Sequence, residues 1–393
     1  MKILHVYDLG PFARGTIVGG IEKHIFSLLG YLAKKGHDCF FLTGSIPGEP
    51  PLESIEGVTI IRADILGFNK RFWNPYNLHF RRQMAFLLSG LERQSQEIAQ
   101  VDLVNGHIYS AGIVAALIAK KQKIPCVNTI HGSYYGKWRE IMPGRIRPLI
   151  FSSLERILLP WIGNLADLQI HTDFFFARKA IEWGVPKEKV RTILNSVDSD
   201  FFHPETIPQE LRMLHPRIIA IRRLVPKNGL HILIKAFDLV RRKVPTAQLL
   251  LIGDGPQKSQ LMHLTSQYGL SRSVHFVGTV RNAMIPKFLA AADLVVIPSL
   301  IEASSISLLE AMSSGKPCVV TRIPGIQSIS DSGSVEYCEP NDPKSLHLAI
   351  MNVLSNDERA QKLSKNARRS VLQNNTLERM GQSYETLYES LVK

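Results

Sequence analysis

The stretch Ile297–Pro317, IPSLIEASSISLLEAMSSGKP, decides how the rest of the chain is read. An apolar strand, Leu294–Ile297, runs into Pro298, which has no N–H to give a sheet ladder and turns the chain into a loop. Ser304 or Ser305 suits the N-cap of a following helix. Ile306, Leu309 and Met312 then recur at helical spacing, and Gly315-Lys316-Pro317 supplies the stop. Glu302 therefore precedes a helix and Glu310 lies within it. The start of a helix carries unpaired N–H groups and a partial positive charge, a setting that holds phosphate. The small residues Ala303, Ser304 and Ser305, leading into Ile306, let a ligand approach the backbone.

A carboxylate in such a place should repel phosphate unless it accepts hydrogen bonds from hydroxyls on either side of it. At 1.5 Å per residue the two glutamates are at most ~12 Å apart, a span that suits one sugar at each end of a diphosphate. A sugar nucleotide has that shape. Acidic side chains are also favoured near helix starts in general, so an ordinary solvated helix start remains open at this point.

Outward from this stretch, strands alternate with helices along the chain. Ile3–Tyr7 reads as a strand, followed by a glycine-rich loop with Gly10, Gly15, Gly19 and Gly20, and a helix over residues 21–35 with Ile21, Ile25, Leu28, Leu29 and Leu32 on one face. Further strands are expected at 38–42, 58–61, 101–104, 124–129, 167–171 and 190–194, with helices at 78–99 and 111–121. The pattern restarts with strands at 217–221, 248–252, 274–277, 294–297 and 318–321, separated by helices at 230–242, 261–268, 283–291 and 305–314. Such alternation implies parallel, doubly wound α/β sheets. Residues 196–216, with Pro204, Pro208 and Pro216, lack periodicity and read as the connection between two domains. Residues 344–393 read as helices.

The Glu-x7-Glu pattern in PSLIEASSISLLEAMSSGKP resembles the signature of the retaining glycosyltransferases of family 4, which have the GT-B fold. The resemblance implies two Rossmann-like doubly wound domains facing a central cleft: 1–200 on the acceptor side, with 371–393 returning to it as a C-terminal helix, and 201–370 on the donor side. It also implies transfer of a sugar from a nucleotide diphosphate sugar to an acceptor hydroxyl, with retention at the anomeric carbon. Glu302 would then contact the donor sugar and Glu310 the nucleotide ribose.

Other motifs agree with that resemblance. VGGIEKHIFSLLGYLAKKGHD is similar to the family's opening and implies that Gly19-Gly20 approaches the donor phosphate, although Gly-Gly alone is an ordinary turn. His131 in NTIHGSYYG stands at a strand end where the family's histidine contacts the donor sugar. Arg222, Arg223 and Lys227 in AIRRLVPKNGL follow the first strand of the second half, where fixed cations would neutralise a departing diphosphate. The segment is similar to the family's Gly-Arg-Leu-x-x-x-Lys-Gly but departs twice: Arg222 replaces the glycine, and Asn228 replaces the lysine, with Lys227 one place early. Asn195–Asp198, NSVD, resembles Asn-Gly-Val-Asp, and GDGP, with Gly253, resembles the loop beside the nucleotide base. The expected catalytic set is Glu302, His131, Arg223 and Lys227, with the Ala303–Ile306 amides completing the donor site; Asp8 is a candidate base.

Composition narrows the class. Across 393 residues, hydrophobic content is 45% and charged content 21%, as in globular proteins, and no apolar run is long enough for a membrane span. The MKILHVY opening reads as a strand rather than a leader. Four scattered cysteines read as reduced core residues of a cytoplasmic protein. HExxH, GxSxG and GxGxxG are absent, which sets aside zinc hydrolases, serine hydrolases and dinucleotide enzymes. Asp198-x-Asp200 has metal-binding spacing but lies in the connection, and neither metal nor cofactor is expected.

Of the net charge of +13, residues 1–200 hold 24 Lys/Arg against 18 Asp/Glu, and residues 120–160 alone hold 8 against 2. Tyr134, Tyr135 and Trp138 stand among Lys137, Arg139, Arg145 and Arg147, ahead of an amphipathic helix. That interleaving suits a peripheral contact with an anionic inner membrane face and a lipid-linked or polymeric glycan acceptor; a solvated basic face is the plainer alternative, and nucleic acid is not expected. A nucleotide-sugar epimerase or hydrolase, or a non-catalytic sugar-nucleotide binder, could share the same fold.

Overall fold

The computed structural model describes residues 1–8, 19–45, 48–63, 100–133, 138, 146–205 and 216–392. The helix expected at 78–99 lies outside them, as do Tyr134, Tyr135, Lys137, Arg139 and Arg145. The described residues of Met1–Tyr135, Ile150–Leu194 and Leu377–Lys393 form one compact unit, and those of Gly136–Leu149 and Asn195–Thr376 a second. The chain thus passes between the units at Leu194/Asn195 and Thr376/Leu377, and also near Leu149/Ile150.

In the first unit the strands are β1 (Lys2–Val6), β2 (Asp38–Gly44), β3 (Leu52–Ile55), β4 (Val58–Ala63), β5 (Leu103–His107), β6 (Cys126–Ile130), β7 (Leu168–His171) and β8 (Val190–Thr192). They form one sheet in the order β3-β4-β2-β1-β5-β6-β7-β8. Every pairing is parallel except β3 with β4, which is antiparallel. The β3 strand, LESI, joins β4 through a tight turn at Glu56-Gly57, both at positive φ. Four residues with two polar side chains give no apolar run, which is why this edge strand escapes a sequence reading.

The described helices of the unit are α1 (Gly20–Lys34), α2 (Ile108–Gln122), α3 (Ile146–Leu165), whose first turn belongs to the second unit, and α4 (Phe174–Glu182), with the tail helix α12 (Leu377–Leu391). Met380, Tyr384 and Tyr388 of α12 join one core with Ile3 of β1, Ile25, Leu28 and Leu32 of α1, Phe41 of β2 and Leu103 of β5. Burying an aromatic or large aliphatic side chain is worth ~1.5–3 kcal/mol, so the tail is an integral layer of this unit.

The second unit has β9 (Arg217–Ile221), β10 (Gln248–Ile252), β11 (Val274–Gly278), β12 (Leu294–Ile297), β13 (Cys318–Thr321) and β14 (Glu336–Cys338) in the order β11-β10-β9-β12-β13-β14, all parallel. Nearly every residue of the four inner strands is buried, the continuous apolar pattern that a sheet covered on both faces requires. Its helices are α5 (Leu230–Lys243), α6 (Lys258–Gln267), α7 (Ile285–Ala291), α8 (Ile306–Ser313), α9 (Pro324–Gln327), α10 (Pro343–Leu354) and α11 (Asp357–Asn374).

Strand order reverses on either side of the first strand of each sheet: β1 lies between β2 and β5, and β9 between β10 and β12. Open α/β sheets hold ligands outside the carboxyl ends of the strands at such points. All four cysteines are free and buried. Burial pushes the thiols of Cys39, Cys126 and Cys338 up to about 12, which removes them as nucleophiles.

Candidate active site

At the reversal in the second sheet, Arg222 follows β9, and Pro298 to Ser305 lead from β12 into α8. The helix is capped as its sequence requires: Ser305, in extended conformation, accepts from the Leu308 N–H. The loop before it is held from several sides. Asn195 Nδ2 donates to the Ser304 carbonyl at 2.8 Å, the Leu300 N–H to the Lys227 carbonyl at 2.8 Å, and Thr321 Oγ1 to the Ser299 carbonyl at 2.5 Å. Beneath it, a Cβ on Gly325 of α9 would stand 2.0 Å from the carbonyl oxygens of both Glu302 and Ala303. Gly325→Ala should therefore displace the loop, lowering stability by at least about 3 kcal/mol and nucleotide affinity with it. A variant with unchanged melting temperature would contradict this packing.

Glu302 meets a cation that reading along the sequence did not pair with it. Its carboxylate forms an ion pair with Arg222 Nη2, and Ser299 Oγ donates to it at 3.2 Å. Arg222 Nη2 also reaches Ser299 Oγ at 2.7 Å and Asn228 Oδ1 at 2.9 Å, while Nη1 donates to the N-cap hydroxyl of Ser305 at 3.1 Å. The arginine is 9% exposed, and the glutamate side chain 16%. Burial pushes the Glu302 carboxyl up, but the charges of Arg222 and then Lys227, with hydrogen bonds from Arg222 and Ser299, outweigh it and hold the group below its ordinary value. Glu302 is thus an anion at neutral pH that can accept hydrogen bonds from hydroxyls.

The remaining residues expected here are placed as follows. Ala303, Ser304, Ser305 and Ile306 are buried at the head of α8, and Glu310 is buried within it. The Arg223 side chain is exposed, whereas Lys227 is half-buried on a 3-10 turn over Pro226–Asn228. Gly253, at φ +132°, lies against the Arg222 carbonyl, which a Cβ would approach to 2.2 Å; the glycine in GDGP lets that loop pack on the Arg222 backbone. Asp198 Oδ1 accepts from the Asp200 and Phe201 N–H groups, so the Asp-x-Asp pair forms a turn.

In the first unit, Gly19 caps α1 in extended conformation with no side-chain cap, and Gly20 opens the helix exposed. The buried Glu22 carboxylate lies against Gly19, where a Cβ would meet it at 2.1 Å. Asp8 is buried just beyond β1. His131, just after β6, is not isolated: it meets His5 of β1, His24 of α1 and His107 of β5. His131 Nε2 lies 2.8 Å from His107 Nδ1, His107 Nε2 2.9 Å from His5 Nδ1, and His5 Nε2 3.1 Å from the Tyr388 hydroxyl of α12. The His24 ring packs edge-on against His131 at 4.7 Å. Asn105 Nδ2 donates to the Tyr388 hydroxyl at 2.6 Å.

In one polarity the Tyr388 O–H donates to His5 Nε2, His5 Nδ1–H to His107 Nε2, and His107 Nδ1–H to His131 Nε2. This leaves His131 Nδ1 as the donor at the end of the row. The register already places His5 opposite Asn105 and His107 opposite Thr129, but pairing residues about a hundred positions apart needs the sheet order, which sequence spacing does not carry.

Comparison with known families settles what this architecture belongs to. The model for "Glycosyltransferase Family 4" matches residues 18–201, and that for "Glycosyl transferases group 1" matches residues 205–370. The chain belongs to the GT-B glycosyltransferases. Among relatives of this glycosyltransferase, a glycogen synthase of Mycobacterium tuberculosis is 25% identical over 94% of this chain and 90% of its own length. An N-acetyl-alpha-D-glucosaminyl L-malate synthase of Bacillus anthracis is 24% identical over 92% and 91%. In fold, the glycosyltransferase matches a sucrose-phosphate synthase from Thermosynechococcus elongatus with a TM-score of 0.83 at 21% identity, covering 99% of this chain and 98% of that one. It also matches the Anabaena protein HepE in complex with UDP and glucose, with a TM-score of 0.76 at 20% identity over the whole of both chains.

Proposed function

We propose that this glycosyltransferase moves a sugar from a nucleotide diphosphate sugar, with retention, to a hydroxyl of a lipid-linked or cell-surface glycan. The observation that carries the donor assignment is an ionised Glu302, set beside a buried cation at the head of α8, on the carboxyl edge of the sheet where strand order reverses. The α8 amides and the cations after β9 stabilise negative charge on the departing diphosphate. Glu302 accepts from sugar hydroxyls and Glu310 holds the ribose; the family 4 resemblance implies that His131 also contacts the donor sugar. The family 4 resemblance implies that the Gly19-Gly20 backbone approaches the donor phosphate. Retention rests on the family 4 resemblance, and the HepE complex with UDP and glucose supports a nucleotide-linked sugar as donor. Incubation with a panel of sugar nucleotides tests the donor: one of them should raise the melting temperature in a concentration-dependent way, and no shift with any member would count against the reading. Release of free sugar or an epimer without acceptor would instead favour an epimerase or hydrolase.

The acceptor side rests on α3. Ile146, Leu149, Ile150, Leu154, Ile157 and Trp161 are exposed along it, Ile157 at 67% and Trp161 at 50%. Its one acidic residue, Glu155, is buried and accepts from the Tyr109 hydroxyl at 2.6 Å. The outward face of α3 therefore carries apolar side chains with Arg147 and Arg156, near in sequence to exposed Lys120, Lys121 and Lys123. Single exposed apolar residues are ordinary, but a row of them on one cationic helix suits a membrane interface. No described helix is long and apolar enough to cross a membrane; the contact proposed is a peripheral one on the cytoplasmic face. The chain should sediment with vesicles containing phosphatidylglycerol at low salt and much less with phosphatidylcholine alone. Replacing Ile157 and Trp161 together by Glu should reduce that binding at least about tenfold. Equal sedimentation of the double variant would refute the assignment.

A further inference from the structure

The two departures of AIRRLVPKNGL from its family's pattern, Arg222 for glycine and Asn228 for lysine, touch each other: Arg222 Nη2 donates to Asn228 Oδ1 at 2.9 Å. Asn228 is itself buried, and its Nδ2 donates to the Arg223 carbonyl at 2.8 Å. Its amide thus ties the Arg222 guanidinium to the backbone of the strand end. A lysine at position 228 would send its ammonium beyond the point where the Asn228 amide ends, toward the place the guanidinium now fills.

We propose that the cation which binds the donor's diphosphate in this chain is Arg222, transferred from the loop before α5 to the end of β9, with Asn228 as the residue that orients it. The inference rests on the donor assignment above and names the group that serves it. Two further observations support it. The Arg222 Nε–H is buried and has no hydrogen-bond partner, and neither has the Ser304 hydroxyl, also buried, in the loop leading to the same helix start. Buried donors are rarely left unsatisfied. An incoming phosphate oxygen would satisfy both, beside the N-cap hydroxyl of Ser305 that Arg222 already holds. Arg223, by contrast, keeps its side chain exposed, and Lys227 stands half-buried on the turn.

This arrangement differs from a plain structural ion pair in what it predicts for an exchange of positions. Putting the cation back, as Arg222→Gly with Asn228→Lys, should restore binding that Arg222→Gly loses, because the charge returns to the same space from the other side. Asn228→Lys alone should weaken binding or stability, since it sets a second cation against Arg222 in a buried place.

The test measures affinity for UDP, ADP and GDP by calorimetry, with melting curves for each variant as a check of folding. If none of the three binds the wild-type chain, the donor assignment itself fails. If one binds, Arg222→Gln should weaken it by about 10- to 100-fold, Arg223→Gln and Lys227→Gln should each weaken it less, and the exchanged pair should recover most of the loss. Arg222→Lys, which keeps a charge beside Glu302, should fall between and serves if the neutral variants do not fold. Wild-type affinity in folded Arg222→Gln or Arg222→Lys, a larger loss from Lys227→Gln, or a folded exchange variant that binds no better than Arg222→Gly would overturn the proposal.

Discussion

Lowering the pH from about 7.5 to about 4.5 is expected to unfold the first unit. Burial drives the imidazole of His5 down to about 3, with repulsion from His24 adding to it, and burial alone drives that of His171 down to about 3. Burial, together with the neighbouring histidines, holds His107 and His131 well below their ordinary value. The folded unit therefore refuses protons that the unfolded chain accepts below about 6.5. Stability is fully present above that value and is lost as the pH falls toward the folded values, by about 1.4 kcal/mol per pH unit for each histidine. Asp173, the N-cap of α4, works in the opposite sense. Its carboxyl is pushed up to about 6 by burial, against hydrogen bonds from Phe176 and Phe175, so the folded state gains a proton there that the unfolded state does not. Four groups against one leave a loss of roughly 4 kcal/mol per pH unit below pH 6.

Against a usual total of about 5–15 kcal/mol, one to two pH units are enough. Among the described residues of the second unit, His231 and His347 are also lowered, but both are only half-buried, so that unit should outlast the first. Hydrogen exchange across the pH series would separate them. Equal protection of β1 and β5 at both ends of the series would show that the histidine row is not the weak point.

Glu302→Gln is expected to lower kcat/KM by about 10²- to 10³-fold while leaving the overall fold in place. The amide keeps the size of the side chain and one acceptor, but it cannot neutralise Arg222. Breaking a buried ion pair costs about 3–5 kcal/mol where both partners are deeply buried; with the Glu302 side chain partly exposed, a loss nearer 1–2 kcal/mol is expected. Activity should fall far more than stability, and that split is the signature of a carboxylate that grips substrate. Acid titration gives a second readout. A carboxyl held below its ordinary value contributes stability above that value and loses it as pH falls through the folded one, and the glutamine variant should lack this component. Full activity with a confirmed donor would remove Glu302 from the reacting set.

How far the sequence could be read depended on whether a feature was local. The inner strands of the second sheet were legible because each is a short, wholly apolar run bounded by loop residues: the expected 217–221, 248–252, 294–297 and 318–321 match β9, β10, β12 and β13. The start of α8 was legible to within one residue from its cap, read as Ser304 or Ser305 and found at Ser305. α4 was missed because FFFARKAIE opens with three aromatics that suggest a strand, although Asp173 ahead of it, which accepts from the Phe176 N–H, was an available cap signal. The Glu302–Arg222 pair and the row of histidines were not legible, since each joins residues that only strand order brings together. Arg222 stood out as a departure from a motif; what it touches needed the fold.

The tail helix α12 carries a consequence for how the protein is made. The second unit is contained mostly within Asn195–Thr376, whereas the first cannot close the core around Ile3, Leu28 and Phe41 until Met380, Tyr384 and Tyr388 arrive. During synthesis the earliest segment to leave the ribosome is therefore the last to finish folding, and its apolar surface stays open while the rest of the chain is translated. Chaperones that shield nascent chains have their longest task at the amino-terminal half, and a stop codon just before Leu377 would leave it without its closing layer.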